Sequence, residues 1–96
     1  MIAVDAPSEL LGRALTLHPQ VALRPEPFGA LAYHYGTRRL VFLKHPDVVR
    51  VVRALEHHDT VGDTFAACEI APARHPAFLR ALTSLSDSEM LRDRAG

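Results

Sequence analysis

The sequence predicts an α+β domain of the winged helix-turn-helix-like kind, a three-stranded antiparallel sheet followed by three helices. Short apolar runs at 21–24, 30–35 and 40–43 are separated by breaks rich in Pro and Gly, the pattern of strands joined by tight turns. From His45 onward the period changes, and apolar residues recur at helical spacing. Strands and helices in separate blocks mark the α+β class, with the helices packed on one face of the sheet.

The elements follow in order. Ser8 reads either as the cap of a short helix over 8–15, with Gly12 against it, or as part of an extended lead-in that covers a sheet edge. Leu17, His18, Pro19 and Gln20 form a break, because the residue before proline is pushed out of the helical region. The first strand, 21–24, is stopped by Pro25 and Pro27, which cannot donate to a ladder. Phe28 is expected to plug the turn into the core, and Gly29 frees the backbone to reverse. In the second strand Leu31, Tyr33 and Tyr35 share one face, and Ala30, Ala32 and His34 the other. Gly36 and Thr37 break the chain again. In the third strand Leu40 and Phe42 oppose Val41 and Leu43.

His45-Pro46-Asp47 is a helix start, with proline at the first helical position and an acid near the helix's positive end. The valines that follow would suit a strand, but Arg50, Arg53 and Glu56 fall on the opposite side at helical spacing. Thr60 to Asp63 resembles a capping box and opens a second helix carrying Val61 and Phe65 inward. A third helix starts at Pro72 or Pro76 and runs to about Leu85, with Phe78, Leu79, Leu82 and Leu85 as its apolar stripe. Ser86-Asp87-Ser88 is expected to break it. Glu89, Met90 and Leu91 return to the core, and 92–96 reads as a polar tail.

Composition narrows the function. The chain has 96 residues, 48% apolar and 23% charged, the size and balance of one soluble globular domain. Lysines and arginines number 11 and acids 11, which speaks against a non-specific nucleic-acid binder. No run approaches the length of a membrane span, and the N-terminus lacks a basic stretch followed by a long apolar one. A cytoplasmic, reduced protein is the simplest expectation. Cys68 stands alone among residues that offer no activating base, so a buried inert thiol is expected. His57, His58 and Asp59 look metal-like, but no histidine pair has helical ligand spacing with a supporting ligand. They read as a solvated helix end. No catalytic set, metal site or cofactor motif assembles.

The third strand is more informative. In a meander it is an edge, and an uncharged apolar edge is normally covered or blunted. Arg38, Arg39 and Lys44 flank it. A strand buried on both faces and a strand that accepts an extended peptide both remain open on the residues alone. The last helix carries Arg74, His75 and Arg80 and no acid between Pro72 and Ser84. That fits an ordinary wet face, a DNA-recognition helix, or the basic wall of a groove for an acidic peptide. Neutral overall charge disfavours DNA.

Three stretches then carry a resemblance: LHPQVALRPEPFGAL (17–31), YHYGTRRL (33–40) and FLK (42–44). They resemble the peptide-chaperone family of mycofactocin biosynthesis, relatives of the peptide chaperone of pyrroloquinoline quinone biosynthesis. The likeness runs from about Leu17 to Leu91; the hairpin is specific and the helical half more generic. It implies a lead-in at 1–16, a winged-helix peptide-recognition domain at 17–91 and a tail at 92–96. It implies a non-enzymatic role without cofactor: the leader of a ribosomally made precursor peptide is held as an extra antiparallel strand between the third strand and the last helix. The precursor is presented to a radical S-adenosylmethionine maturase, which carries the chemistry. On this chain the implied binding residues are Arg39, Leu40, Val41, Phe42, Leu43 and Lys44 of the strand, and Arg74, Phe78, Leu79, Arg80 and Leu82 of the helix. His45 departs from the serine-like cap of a better helix start, and Ser86-Asp87-Ser88 replaces a glycine-like stop. A winged-helix DNA binder and a small structural or oligomerisation subunit, a homodimer through the same edge, are the alternatives.

Overall fold

The computed structural model describes residues 10–94. Its centre is an antiparallel sheet of β2 (Val21–Glu26), β3 (Gly29–His34) and β4 (Leu40–Leu43), in that order. The helices α1 (Pro46–Ala54), α2 (Val61–Ala67) and α3 (His75–Asp87) follow, with a 3-10 turn after α1 and another before α3. The α+β class, the three-stranded meander and the three helices are as the sequence predicts. All three helices contribute buried residues to one core, among them Val51, Phe65, Phe78 and Leu82.

Alternation within the sheet decides what faces the helices. Ala30, Ala32 and His34 are buried, and Leu43 lies opposite Ala30 on the same face. Leu31 and Tyr33, with Leu40 and Phe42 opposite them, lie on the outer face. Pro25 does not end β2 but pairs with Ala30 inside it. The Tyr35 amide donates to the Gln20 carbonyl at 2.8 Å. Counting along the ladder from there turns the nitrogen of Pro25 away from β3, where no donor is needed. Phe28 is not a core plug: it is 40% exposed, its ring edge-on to Phe42.

Two close fits fix the meander. Gly29 has φ 150°, and a Cβ there would overlap the Leu43 carbonyl oxygen, so β4 crosses where only glycine leaves room. In the next turn the Arg38 amide donates to the His34 carbonyl at 2.7 Å, and the His34 amide to the Arg39 carbonyl at 3.0 Å. With Arg38 at φ 66°, this is a bulge of the kind that usually takes glycine. The buried His34 ring secures it, its Nδ1 accepting from the amides of Gly36 (3.0 Å) and Thr37 (3.1 Å).

The helix ends hold most of the differences from expectation. His45 is a working cap: its Nδ1 accepts from the Asp47 amide at 3.3 Å. Thr60 Oγ1 accepts from the Asp63 amide at 3.0 Å, the forward half of the capping box. Ser86 and Asp87 do not break α3 but belong to it. The stop is Glu89, at φ 65°, with the Met90 amide donating to the Leu85 carbonyl at 2.8 Å. Glu69, at φ 60°, ends α2 the same way, with the Ile70 amide on the Phe65 carbonyl at 2.9 Å. Both are left-handed C-terminal caps built on glutamate rather than glycine.

Two short strands escaped the sequence pattern. β1 (Leu15–Leu17) pairs antiparallel with β5 (Leu91–Asp93), and Arg13 closes the clasp on Asp93 at 2.7 Å. Arg92 and Asp93 are therefore strand residues, not tail. Of the two readings of 8–15, helix or extended lead-in, the structure has helix only at Leu10 and none over 11–17, and residues 8 and 9 lie outside the described residues. Leu10 and Leu15 are core residues. The carbonyls of Leu11 and Arg13 each accept, at 2.9 Å, from Gly62 and Val61 at the start of α2. The described part of the lead-in is thus built into the domain.

Relieving the left-handed residues should stabilise the fold. Glu69→Gly and Glu89→Gly are each expected to add about 1 kcal/mol and raise Tm by about 4–8 °C. Gly29→Ala should cost about 2 kcal/mol or more. Thermal denaturation followed by circular dichroism tests all three; a neutral Gly29→Ala would contradict the close crossing.

Candidate functional site

The free edge of β4 follows from hydrogen-bond parity. The His34–Arg39 bond starts the β3–β4 ladder, and its register pairs Ala32 with Val41 and Ala30 with Leu43. In an antiparallel pair, main-chain groups point alternately toward and away from the partner. Those of Val41 and Leu43 are spent on β3. Those of Leu40 and Phe42 point away from the sheet, and β4 has no second neighbour among the described strands. Leu40 and Phe42 are 53% and 58% exposed.

Beside this edge lies an open cleft of about 210 Å³, lined by Val41, Phe42 and Leu43 of the strand, by Lys44 just after it, and by Val48, Ala81, Ser84 and Leu85 of the helices. Ala81 and Ser84 make it possible, since larger side chains on that stripe of α3 would fill the gap. Phe78, Leu79 and Leu82 do not line it. They are 5%, 5% and 1% exposed, and their side chains form the core behind the cleft. Of the apolar stripe expected on this helix, Leu85 reaches the cleft and the other three do not. The stripe with the largest apolar residues is the one a helix buries, and the wall of an open cleft sits a step around the helix, where residues are small.

The basic residues divide in the same way. Arg39, Lys44 and Arg80 are exposed, and none pairs with an acid among the described residues. Arg80 is one helical turn before Ser84, on the cleft side of α3. Arg74 is occupied. It pairs with Asp47 at 3.0 Å and lies over the Phe78 ring, 4.9 Å from its centroid. Asp47 also holds Arg50 at 3.1 Å. Hydrogen bonds from Arg50 and Arg74 keep its carboxyl below the usual carboxylate range, against partial desolvation. Asp47 therefore ties the start of α1 to the turn before α3.

The other chemistry-bearing residues lie elsewhere. Cys68 is buried at the end of α2. Among the described residues no three His, Cys, Asp or Glu side chains gather to hold a metal ion. His18 packs on His34 with ring centroids 4.4 Å apart. Partial burial lowers its pKa, the positive charge of Arg92 pushes it the same way, and Glu89 opposes them. Among the described residues no helix is long and apolar enough to cross a membrane.

Comparison with known proteins gives one consistent result. A model of the peptide chaperone MftB family matches residues 14–92. The peptide chaperone MftB of Mycobacterium ulcerans is 48% identical over 79 residues, covering 82% of this chain and 72% of the relative. That of Mycolicibacterium smegmatis is 49% identical over 75 residues, covering 78% and 74%. That of Mycobacterium tuberculosis is 43% identical over 79 residues, covering 82% and 72%. No solved structure matches the chain significantly.

The Asp47 cluster predicts a pH dependence. A carboxyl whose folded pKa is depressed contributes stability above its ordinary value of 3.8, and loses that contribution as pH falls through the folded value. Asp47→Asn should be less stable than the parent at pH 7, with the gap closing below about pH 4. Urea titrations across pH measure this. A gap that stays constant to low pH would detach Asp47 from its arginines.

Proposed function

The chain belongs to the peptide chaperone MftB family, and on that premise we propose that it holds the leader of a precursor peptide as a strand added to β4 and presents it to a radical S-adenosylmethionine maturase in mycofactocin biosynthesis. The observation that carries the reading is the unpaired edge of β4 beside the cleft under α3. Strand addition draws affinity from main-chain hydrogen bonds and specificity from alternate side chains. The outward donors and acceptors of Leu40 and Phe42 take the first role. The cleft takes the second, for every other residue of the guest. Arg39, Lys44 and Arg80 orient acidic residues of the leader, while Arg74 joins the turn before α3 to α1 through Asp47. A site of this kind binds and positions; covalent chemistry and its cofactors belong to the maturase. Both partners meet in the cytoplasm, where Cys68 stays a thiol.

Leu40→Pro tests the main-chain role. On an edge strand a proline whose nitrogen faces outward leaves the inner ladder intact. Leader binding by calorimetry should weaken about tenfold, the scale of one lost main-chain hydrogen bond, while Leu40→Thr keeps the donor and loses less. Slowed exchange of the Leu40 and Phe42 amides in wild-type protein on adding precursor is the companion readout. Unchanged affinity in Leu40→Pro together with unprotected amides would reject strand addition.

A further inference from the structure

The outer face of the sheet carries a feature that a cleft-only reading leaves without a use. Leu40, Phe42 and Phe28 are 53%, 58% and 40% exposed. The Phe28 and Phe42 rings meet edge-to-face at 5.8 Å, and with Lys44 they border an open apolar notch of about 420 Å³. Leu31 lies beside Phe42 and Tyr33 beside Leu40 in the ladder. Toward the far edge the same face turns polar, where Arg24 and Glu26 pair at 2.7 Å. The apolar stripe is thus confined to the side of the sheet that borders the unpaired edge.

We infer that the guest peptide is read on both faces of the strand it adds, and this rests on the strand-addition reading above. Parity fixes the pattern. The outward main-chain groups belong to Leu40 and Phe42, whose side chains lie on the outer face. Guest residues paired directly with them send their own side chains to that same face. Two large apolar side chains at alternate guest positions therefore cover Leu40 and Phe42, one of them seated in the notch beside Phe28. The residue between them points into the cleft, whose volume of about 210 Å³ has room for an apolar side chain. Lys44 stands five residues from Arg39 and six from Arg38, so acids at both ends of the guest segment complete the match.

Charge also argues against a second copy as the occupant. The antiparallel self-pairing that covers both exposed side chains sets Leu40 against Phe42 of the other copy. That register brings Arg38 up to Lys44 of the other copy at both ends, and like charges placed opposite are destabilising. An edge apolar in the middle and cationic at its ends repels itself and selects an acid-flanked guest.

Two synthetic peptides test the inference by NMR titration of the full chain: Glu-Val-Leu-Val-Leu-Ser-Asp, blocked at both ends, and the same peptide with both leucines replaced by threonine. The leucine peptide should bind about tenfold or more tightly, with Phe42→Thr and Phe28→Ser in the protein each removing most of that advantage. These variants change only exposed side chains. Equal binding of both peptides, with Leu40 and Phe42 amides still perturbed, overturns two-faced reading and leaves strand addition standing. Failure of the leucine peptide to bind also overturns the inference, while precursor protection of those amides decides strand addition separately. Sedimentation of the free chain as a dimer that Phe42→Thr dissolves would assign the patch to a second copy and overturn it as well.

Discussion

The β3–β4 ladder begins at the His34–Arg39 bond, and almost everything about the candidate site follows from that starting point. One residue's shift would exchange the two faces of β4. Phe42 would enter the core, Leu43 would meet water, and the outward main-chain groups would belong to Val41 and Leu43. Two local devices prevent the slip. Gly29 admits the Leu43 carbonyl at one end of the pairing, and the His34 ring holds the amides of the Gly36 turn at the other. Register here is a steric and hydrogen-bonding matter settled within the hairpin itself. The helices then only have to cover the face they are given.

The distance between β4 and α3 is the second determinant. A helix packed fully onto an edge strand would close the cleft, and one held too far away would leave no shared wall. Small residues, Ala81 and Ser84, stand where α3 faces the cleft, and the Asp47 cluster joins the turn before α3 to α1. Phe78 stands at the junction, beneath Arg74 and edge-on to Phe65 at 5.9 Å. Truncating that ring would therefore shift the cleft wall while deleting nothing that lines it.

The sequence made the architecture readable where pattern and chemistry agree. Alternation gave the sheet faces, and the arginines at helical spacing settled the valine run from Val48 to Val52 as helix. Thr60 announced its cap. What it hid has physical reasons. Strands of three residues, such as Leu15–Leu17 and Leu91–Asp93, are too short to show a period. Stops built on Glu69 and Glu89 carry none of the usual glycine signal. At the site, the free edge and the strand side of the cleft were legible because a meander must end somewhere, whereas the small residues on the helix side were not. The buried stripe of α3 was readable, but Ala81 and Ser84 beside it look like any other solvent-facing small residues.

The clasp between β1 and β5 has a further consequence. Thr16 lies opposite Arg92, so segments near both ends of the described residues are held side by side, on a sheet separate from β4. Tension applied through that clasp would reach the core before it reached the free edge of β4, which belongs to the other sheet.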